Sequence, residues 1–339
     1  MRYLALTTLI IFALVGISHA DGGHHHAIPT LKKGKTTVSY EGDKITITFG
    51  PIDLPVGHSG DLAASMPKHF FSLPEDRHFT AFKSEVFTKD GTALTPEYLH
   101  HLLLLDMDRK SISCEGEPMF LGGAGMEMVN TKFPKGYGVA LPKGHKLMTL
   151  VAFYHGVPPT KDAMARFTID LAPKDEPIES MEVYQIGVNV VCFSKFDQRP
   201  KDQSDEGIEI PPGVQVMKAP RKFQVDGCVK FAYPHVHDGA LLVALENITA
   251  RRTLLRTVPD VEMNGELIGF SNRQVYSDAQ GFSINTKDQY EMVLVHHQPL
   301  HHDNDPHGMG NYLLYMTPGD CPNSTNGRNA SLGNGQGPS

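Results

Sequence analysis

Apolar and polar residues alternate at a period of two along nearly the whole chain after residue 20, and this pattern limits the fold more than any other feature. Successive side chains of a strand point to opposite faces, so such alternation is what a half-buried strand requires. Helical periodicity never persists beyond a turn or two. The first clear pair is Thr36–Tyr40 and Lys44–Phe49, joined by Glu41-Gly42-Asp43, where glycine supplies positive φ for a hairpin. Further strands are expected over Lys146–Tyr154, Arg166–Leu171, Glu182–Phe193, Val229–Tyr233, Ala240–Asn247, Gln289–Val295 and Asn311–Met316. The expected fold class is all-β.

The ends and the middle of the chain divide it further. Arg2, an apolar run from Tyr3 to Ile17, and Ser18-His19-Ala20 have the layout of a secretory signal peptide over residues 1–20, with cleavage expected after Ala20. That run is too short for a membrane span and no later segment approaches one, so a secreted protein without a membrane anchor is expected. Ala172–Ser180 carries two prolines and four charged residues, which places a domain boundary near Pro177. Two β-sandwich domains follow, over 21–176 and 177–320, with a polar, glycine-rich tail over 321–339 expected to be disordered.

The formal charge of −7, without a basic stripe, excludes nucleic acid as an expected partner. Four cysteines, Cys114, Cys192, Cys228 and Cys321, fit two disulfides in any of three connectivities in an oxidising compartment. No Cys-x-x-Cys spacing favours a thiolate metal site. Three sequons, at Asn247, Asn323 and Asn329, are glycan acceptors if exposed in a eukaryotic host.

Histidine accounts for 18 of 339 residues, and most fall in tight groups. His235 and His237 end an extended run at spacing two, which puts both rings on one strand face. Imidazole suits copper, zinc, iron or nickel; the bland alternative is two histidines flanking a core valine. His100-His101 precedes the apolar run Leu102–Leu105, and both rings can reach one ion only if the chain bulges or turns there. His155 ends a strand before Gly156. Met309 lies between two glycines in polar sequence, an odd place for a core methionine, and its thioether is a soft ligand favouring Cu(I). His296–His307 packs five histidines into twelve residues and reads as a solvated loop or an auxiliary metal trap, and His24–His26 as a scavenging run.

In order along the chain, these features resemble the copper type II, ascorbate-dependent monooxygenases, the family of peptidylglycine α-hydroxylating and dopamine β-monooxygenases. The resemblance rests on the His100-His101 doublet before Leu-Leu, the lone His155 beside Tyr154 and Gly156, the Ile210-Pro-Pro-Gly213 turn, Phe231-Ala-Tyr233 leading to His235-Val-His237, and Met309 with Asn311 two residues on. It covers almost the whole mature chain. It implies two tandem jelly-roll-like β-sandwich domains facing across a cleft, with one copper each, so two per chain. His100, His101 and His155 would hold the electron-transfer copper, and His235, His237 and Met309 the oxygen-binding copper, where catalysis occurs. Ascorbate would be the reductant and O2 the co-substrate. The implied reaction is hydroxylation of an activated C–H bond, first of all the α carbon of a C-terminal glycine in peptides. The alternatives are a small amine such as a phenylethylamine, and a catalytically inactive copper-binding protein on the same scaffold. A hydrolytic zinc enzyme ranks lower, since no His-Glu-x-x-His motif is present. The arginine and tyrosine that hold the peptide carboxylate in the family are replaced here by Pro234 and Leu313. Arg251, Arg252, Tyr312 and Tyr315 are the candidates to take their place.

Overall fold

The computed structural model describes residues 34–54, 68–114, 116–153, 158–188, 212–261, 267–269, 275–298 and 308–322. The signal segment, His155, Cys192, His301, His302, His307, Asn323, Asn329 and the tail past residue 322 lie outside them. The described chain is all-β, with a 3-10 turn at Pro96–Tyr98. No helix of the described residues is long and apolar enough to cross a membrane.

The first half contains β1 (Lys35–Glu41), β2 (Lys44–Leu54), β3 (Lys68–Phe71), β4 (Arg77–Thr88), β5 (Leu99–Lys110), β6 (Pro118–Ala124), β7 (Asn130–Lys132), β8 (Tyr137–Leu141), β9 (Leu147–Phe153) and β10 (Thr160–Leu171). The second half contains β11 (Glu179–Val188), β12 (Gly213–Arg221), β13 (Gly227–Val236), β14 (Ala240–Asn247), β15 (Arg252–Thr257), β16 (Asp260–Val261), β17 (Leu267–Gly269), β18 (Tyr276–Ile284), β19 (Tyr290–Gln298) and β20 (Gly310–Pro318). The expected hairpin is β1–β2: Glu41 pairs with Lys44, and Gly42 turns the chain at φ 56°.

Each half closes two sheets over its own core. In the first, β1-β2-β10-β4-β8 lies against β3-β9-β5-β6, and Ile47, Phe82, Phe167, Leu102, Leu121 and Val151 from both sheets meet in one cluster. In the second, β11-β20-β13-β18 lies against β12-β19-β14-β15, with Val229, Leu245, Ile284, Met292, Leu294 and Leu314 at the centre. This is sandwich architecture, driven by removal of the alternating apolar faces from water.

The halves are not separated by a free linker. The Pro173–Ile178 segment is a turn pinned to the first half: Lys174 Nζ lies 2.7 Å from Glu75 Oε2, and Arg77 donates to the Ala172 carbonyl at 2.8 Å. Beyond it β11 joins β8 in parallel, Glu179 opposite Tyr137, so one ten-stranded sheet runs through both halves. The prolines and charges that mark this stretch as a linker serve a surface turn instead.

Direct packing also replaces the expected cleft along β13 and β20. Tyr312, Leu314 and Met316 face the second core, while Leu313 and Tyr315, with Phe231 and Tyr233 of β13, face the first. Phe133 of the first half sits 4.7 Å from Tyr315 and 5.2 Å from Phe231 between ring centroids. Burial on both faces explains why Tyr312–Met316 is continuously apolar rather than alternating.

Cys228 is bonded to Cys321, which ties the start of β13 to the end of β20, and Cys114 is also disulfide-bonded. The Asn247 sequon fails the exposure condition. Its side chain is buried, with Nδ2 donating to Asp288 at 2.8 Å and Oδ1 accepting from the Ala250 N–H.

Candidate metal centre

Four imidazoles from the two halves meet where β5 begins and β13 ends. In the β5–β9 ladder Leu99 pairs with Phe153 but His101 with Ala152, a register shift that bulges the chain at the histidine doublet. Adjacent strand residues normally face opposite ways; the bulge brings the His100 and His101 rings to 4.1 Å between centroids. The condition that the sequence sets for this doublet is therefore met. At the end of β13 no such device is needed: His235 lies in the strand, His237 directly follows its last residue at spacing two, and their rings lie 5.3 Å apart.

The two pairs then approach each other. His101 Nε2 lies 3.2 Å from His235 Nε2, and the His100 and His237 rings are 6.0 Å apart. One ligand atom each from His101, His235 and His237 falls within 4.8 Å of the others. For metal–nitrogen bonds of about 2.0–2.1 Å at a tetrahedral ion, neighbouring ligand nitrogens sit roughly 3.3 Å apart. The His101–His235 spacing fits two ligands of one ion.

Electrostatics favours the ligating form. Burial, and then the neighbouring His100, His235 and His237, hold His101 well below the usual histidine range, so its ring stays neutral. Beside the cluster, Glu127 Oε1 lies 2.6 Å from His235 Nδ1. Burial raises the Glu127 carboxyl, but its electrostatic interaction and hydrogen bond with His235 outweigh this, and the net direction is down.

The arrangement differs from the expected one in several respects. His101 and His235, assigned by resemblance to different coppers, lie side by side in one cluster because the halves pack directly at this seam. Met309 is half-buried just before β20, and its carbonyl accepts from the His237 N–H at 3.3 Å, so its backbone lies against the cluster. His155 lies outside the described residues; β9 runs to Phe153, opposite Leu99.

His296 is not part of a solvated loop. It is buried on β19 between β12 and β14, with Nε2 at 2.9 Å from the Asp238 carbonyl. A side chain at Gly239, at φ 82°, would run into that ring. None of the candidate carboxylate-binding residues reaches the cluster. Tyr312 is buried, donates to the Val243 carbonyl and accepts from the Thr257 hydroxyl, and Tyr315 is buried between the halves. Arg251 and Arg252 sit at the far end of β14, roughly 23 Å of strand from its start near His237.

Glu127 escaped the sequence reading. Its signal is the run Gly122-Gly123-Ala124-Gly125 before Met126-Glu127, three glycines in four residues marking close approach of backbone. A second His/carboxylate group, Asp106, Asp108 and His145, is locked internally. His145 Nδ1 lies 2.9 Å from the buried Asp106 carboxylate, whose other oxygen accepts from the Asp108 N–H, and Asp108 accepts from the Lys146 N–H. These bonds explain it as a brace between β5 and the turn before β9.

No family model and no curated protein matches the chain. Among solved structures, the STIV MCP, a viral capsid protein, aligns at 10% identity over 85% of this chain and 95% of its own, with a TM-score of 0.29. Pumpkin seed globulin aligns at 8% identity over 87% of each chain, with a TM-score of 0.14. Likenesses this low carry no argument about fold or function.

Proposed function

We propose that this chain is a secreted, copper-dependent monooxygenase that uses O2 and ascorbate to hydroxylate an activated C–H bond. The observation that carries the reading is the convergence of His101, His235 and His237, three imidazoles from both halves with ligand atoms within 4.8 Å of one another. The resemblance in residue order, with Met309 at the same seam, favours copper over zinc. The apolar run before Ser18-His19-Ala20 and the Cys228–Cys321 disulfide support an exported protein.

When bound, copper supplies one-electron redox chemistry and a place for O2 to be reduced. The residues do the rest. His101 offers a neutral nitrogen at physiological pH, the β5 bulge packs the His100 ring against it, and the end of β13 carries His235 and His237 at spacing two. The reaction balances as substrate C–H plus O2, two electrons and two protons giving C–OH and water, with ascorbate donating the electrons.

A C-terminal glycine α carbon is the first substrate to test. The burial of Tyr312 and Tyr315 and the distance of Arg251 and Arg252 favour the second, a small amine without a carboxylate. The test is oxygen and ascorbate consumption by copper-loaded protein with each substrate, followed by mass spectrometry. Product heavier by one oxygen atom, formed in step with ascorbate oxidation, is expected. Copper binding with no coupled product from either class would leave a non-catalytic copper protein.

A further inference from the structure

The hairpin tip after β6 crosses from one half of the molecule to the other. Gly125 and Met128 bond to each other through both backbone pairs, at 3.3 and 3.2 Å, leaving Met126 and Glu127 as the turn. Met126 packs against the second half's core, although β6 belongs to the first. Just before the tip, the Gly123 carbonyl accepts from Tyr233 of β13 at 3.2 Å. Thus the tip is held at the seam independently of Glu127.

The glutamate itself is built in rather than laid on a surface. Its side chain is 5% exposed, and Oε1 stands 2.6 Å from His235 Nδ1. A Cβ at Gly125 would overlap the Glu127 carboxylate, so only glycine leaves room for the side chain to fold back over the turn. An ionised carboxylate only accepts hydrogen bonds, so Nδ1 of His235 must carry the proton. In the neutral ring, Nε2, the atom facing His101, then bears the lone pair.

We propose that Glu127 is a positioning residue: carried across the seam by the 125–128 turn, it fixes His235 in the Nδ1–H tautomer and aims Nε2 at the shared imidazole centre. The proposal rests on reading that centre as a metal site. Partners of this kind orient a ligand ring and raise its basicity, and their loss costs about 10–100-fold in metal affinity. The bland alternative is an ion pair that only braces the turn, which would hold the halves together without selecting a nitrogen.

The test uses the full mature chain and copper as the probe. Nitrogen-15 NMR of the metal-free protein is expected to show His235 as the Nδ1–H tautomer, with the other tautomer gaining population in Glu127→Ala. Copper affinity should fall about 10–100-fold in Glu127→Ala and less in Glu127→Gln, whose amide oxygen still accepts from Nδ1. Gly125→Ala should shift both readouts in the same direction. If Glu127→Ala does not fold by circular dichroism, the glutamine and Gly125→Ala variants carry the comparison. An Nε2–H tautomer in the wild type, or variants that fold yet keep both the tautomer and the copper affinity of wild type, would overturn the proposal. Wild-type protein that binds no copper would instead defeat the metal reading, while the tautomer measurement still decides what Glu127 does.

Discussion

His101 and His235 stand 134 positions apart in the chain, and their Nε2 atoms lie 3.2 Å apart in the fold. Each is delivered by the strand of a different half, so a metal centre here would also tie the two halves together. Metal binding and stability should then be coupled, because a ligand that binds only the folded chain stabilises it by mass action.

The coupling predicts non-additive substitutions. His101→Ala and His235→Ala are each expected to weaken copper binding roughly 100-fold or more, at least the loss seen for outer-shell partners. The double variant should lose much less than the sum of the two. Isothermal titration calorimetry checks this, and strict additivity would mean that the two rings serve separate ions.

Acid should destabilise the metal-free protein. In the fold, His101 lies well below the ordinary histidine value of 6.5, so on acidification the unfolded chain takes up that proton first. Stability from this site is complete above about pH 6.5 and is lost as pH falls from there toward the lowered folded value. Glu127, lowered from 4.5, acts in the same direction further down. Thermal melts of apo protein are expected to decline below pH 6.5, with a shallower decline in His101→Gln; a flat wild-type profile would contradict this.

Leu102 follows the bulged histidines in β5 and is fully buried in the first core. Leu102→Ala should cost about 2–5 kcal/mol in urea unfolding, from lost transfer energy and the cavity left behind. A cost well under 1 kcal/mol would mean that this end of β5 is not packed as described.

The disulfide between Cys228 and Cys321 spans 93 positions and joins the β13–β20 pair at the end away from the histidines. Replacing both cysteines by serine is expected to cost about 2–4 kcal/mol. Copper affinity of the folded fraction should stay near wild type, which separates global stability from site geometry.

Local signals were legible in the sequence and long-range ones were not. Alternation located β2 and β19 because each buries one face, β9 showed as a short apolar run because it is buried throughout, and the histidine doublet announced that it needed a bulge. Asn311–Met316 was recognisable as a strand, but nothing in it says that Leu313 and Tyr315 face the other half's core. That depends on the packing of two sandwiches, not on β20 alone. His296 looked too polar in its neighbourhood to be buried, yet β12 and β14 enclose it. Glu127 meets its partner 108 positions away, so only the glycine run before it hinted at a crowded seam.

Everything proposed for this protein depends on copper binding by the seam imidazoles. Pulsed electron paramagnetic resonance of protein loaded with Cu(II) and dialysed tests it most directly. Retained copper is expected, with histidine nitrogen couplings that weaken in His101→Ala, His235→Ala and His237→Ala alike. Copper that dialyses away, or a spectrum unchanged by all three substitutions, would contradict it.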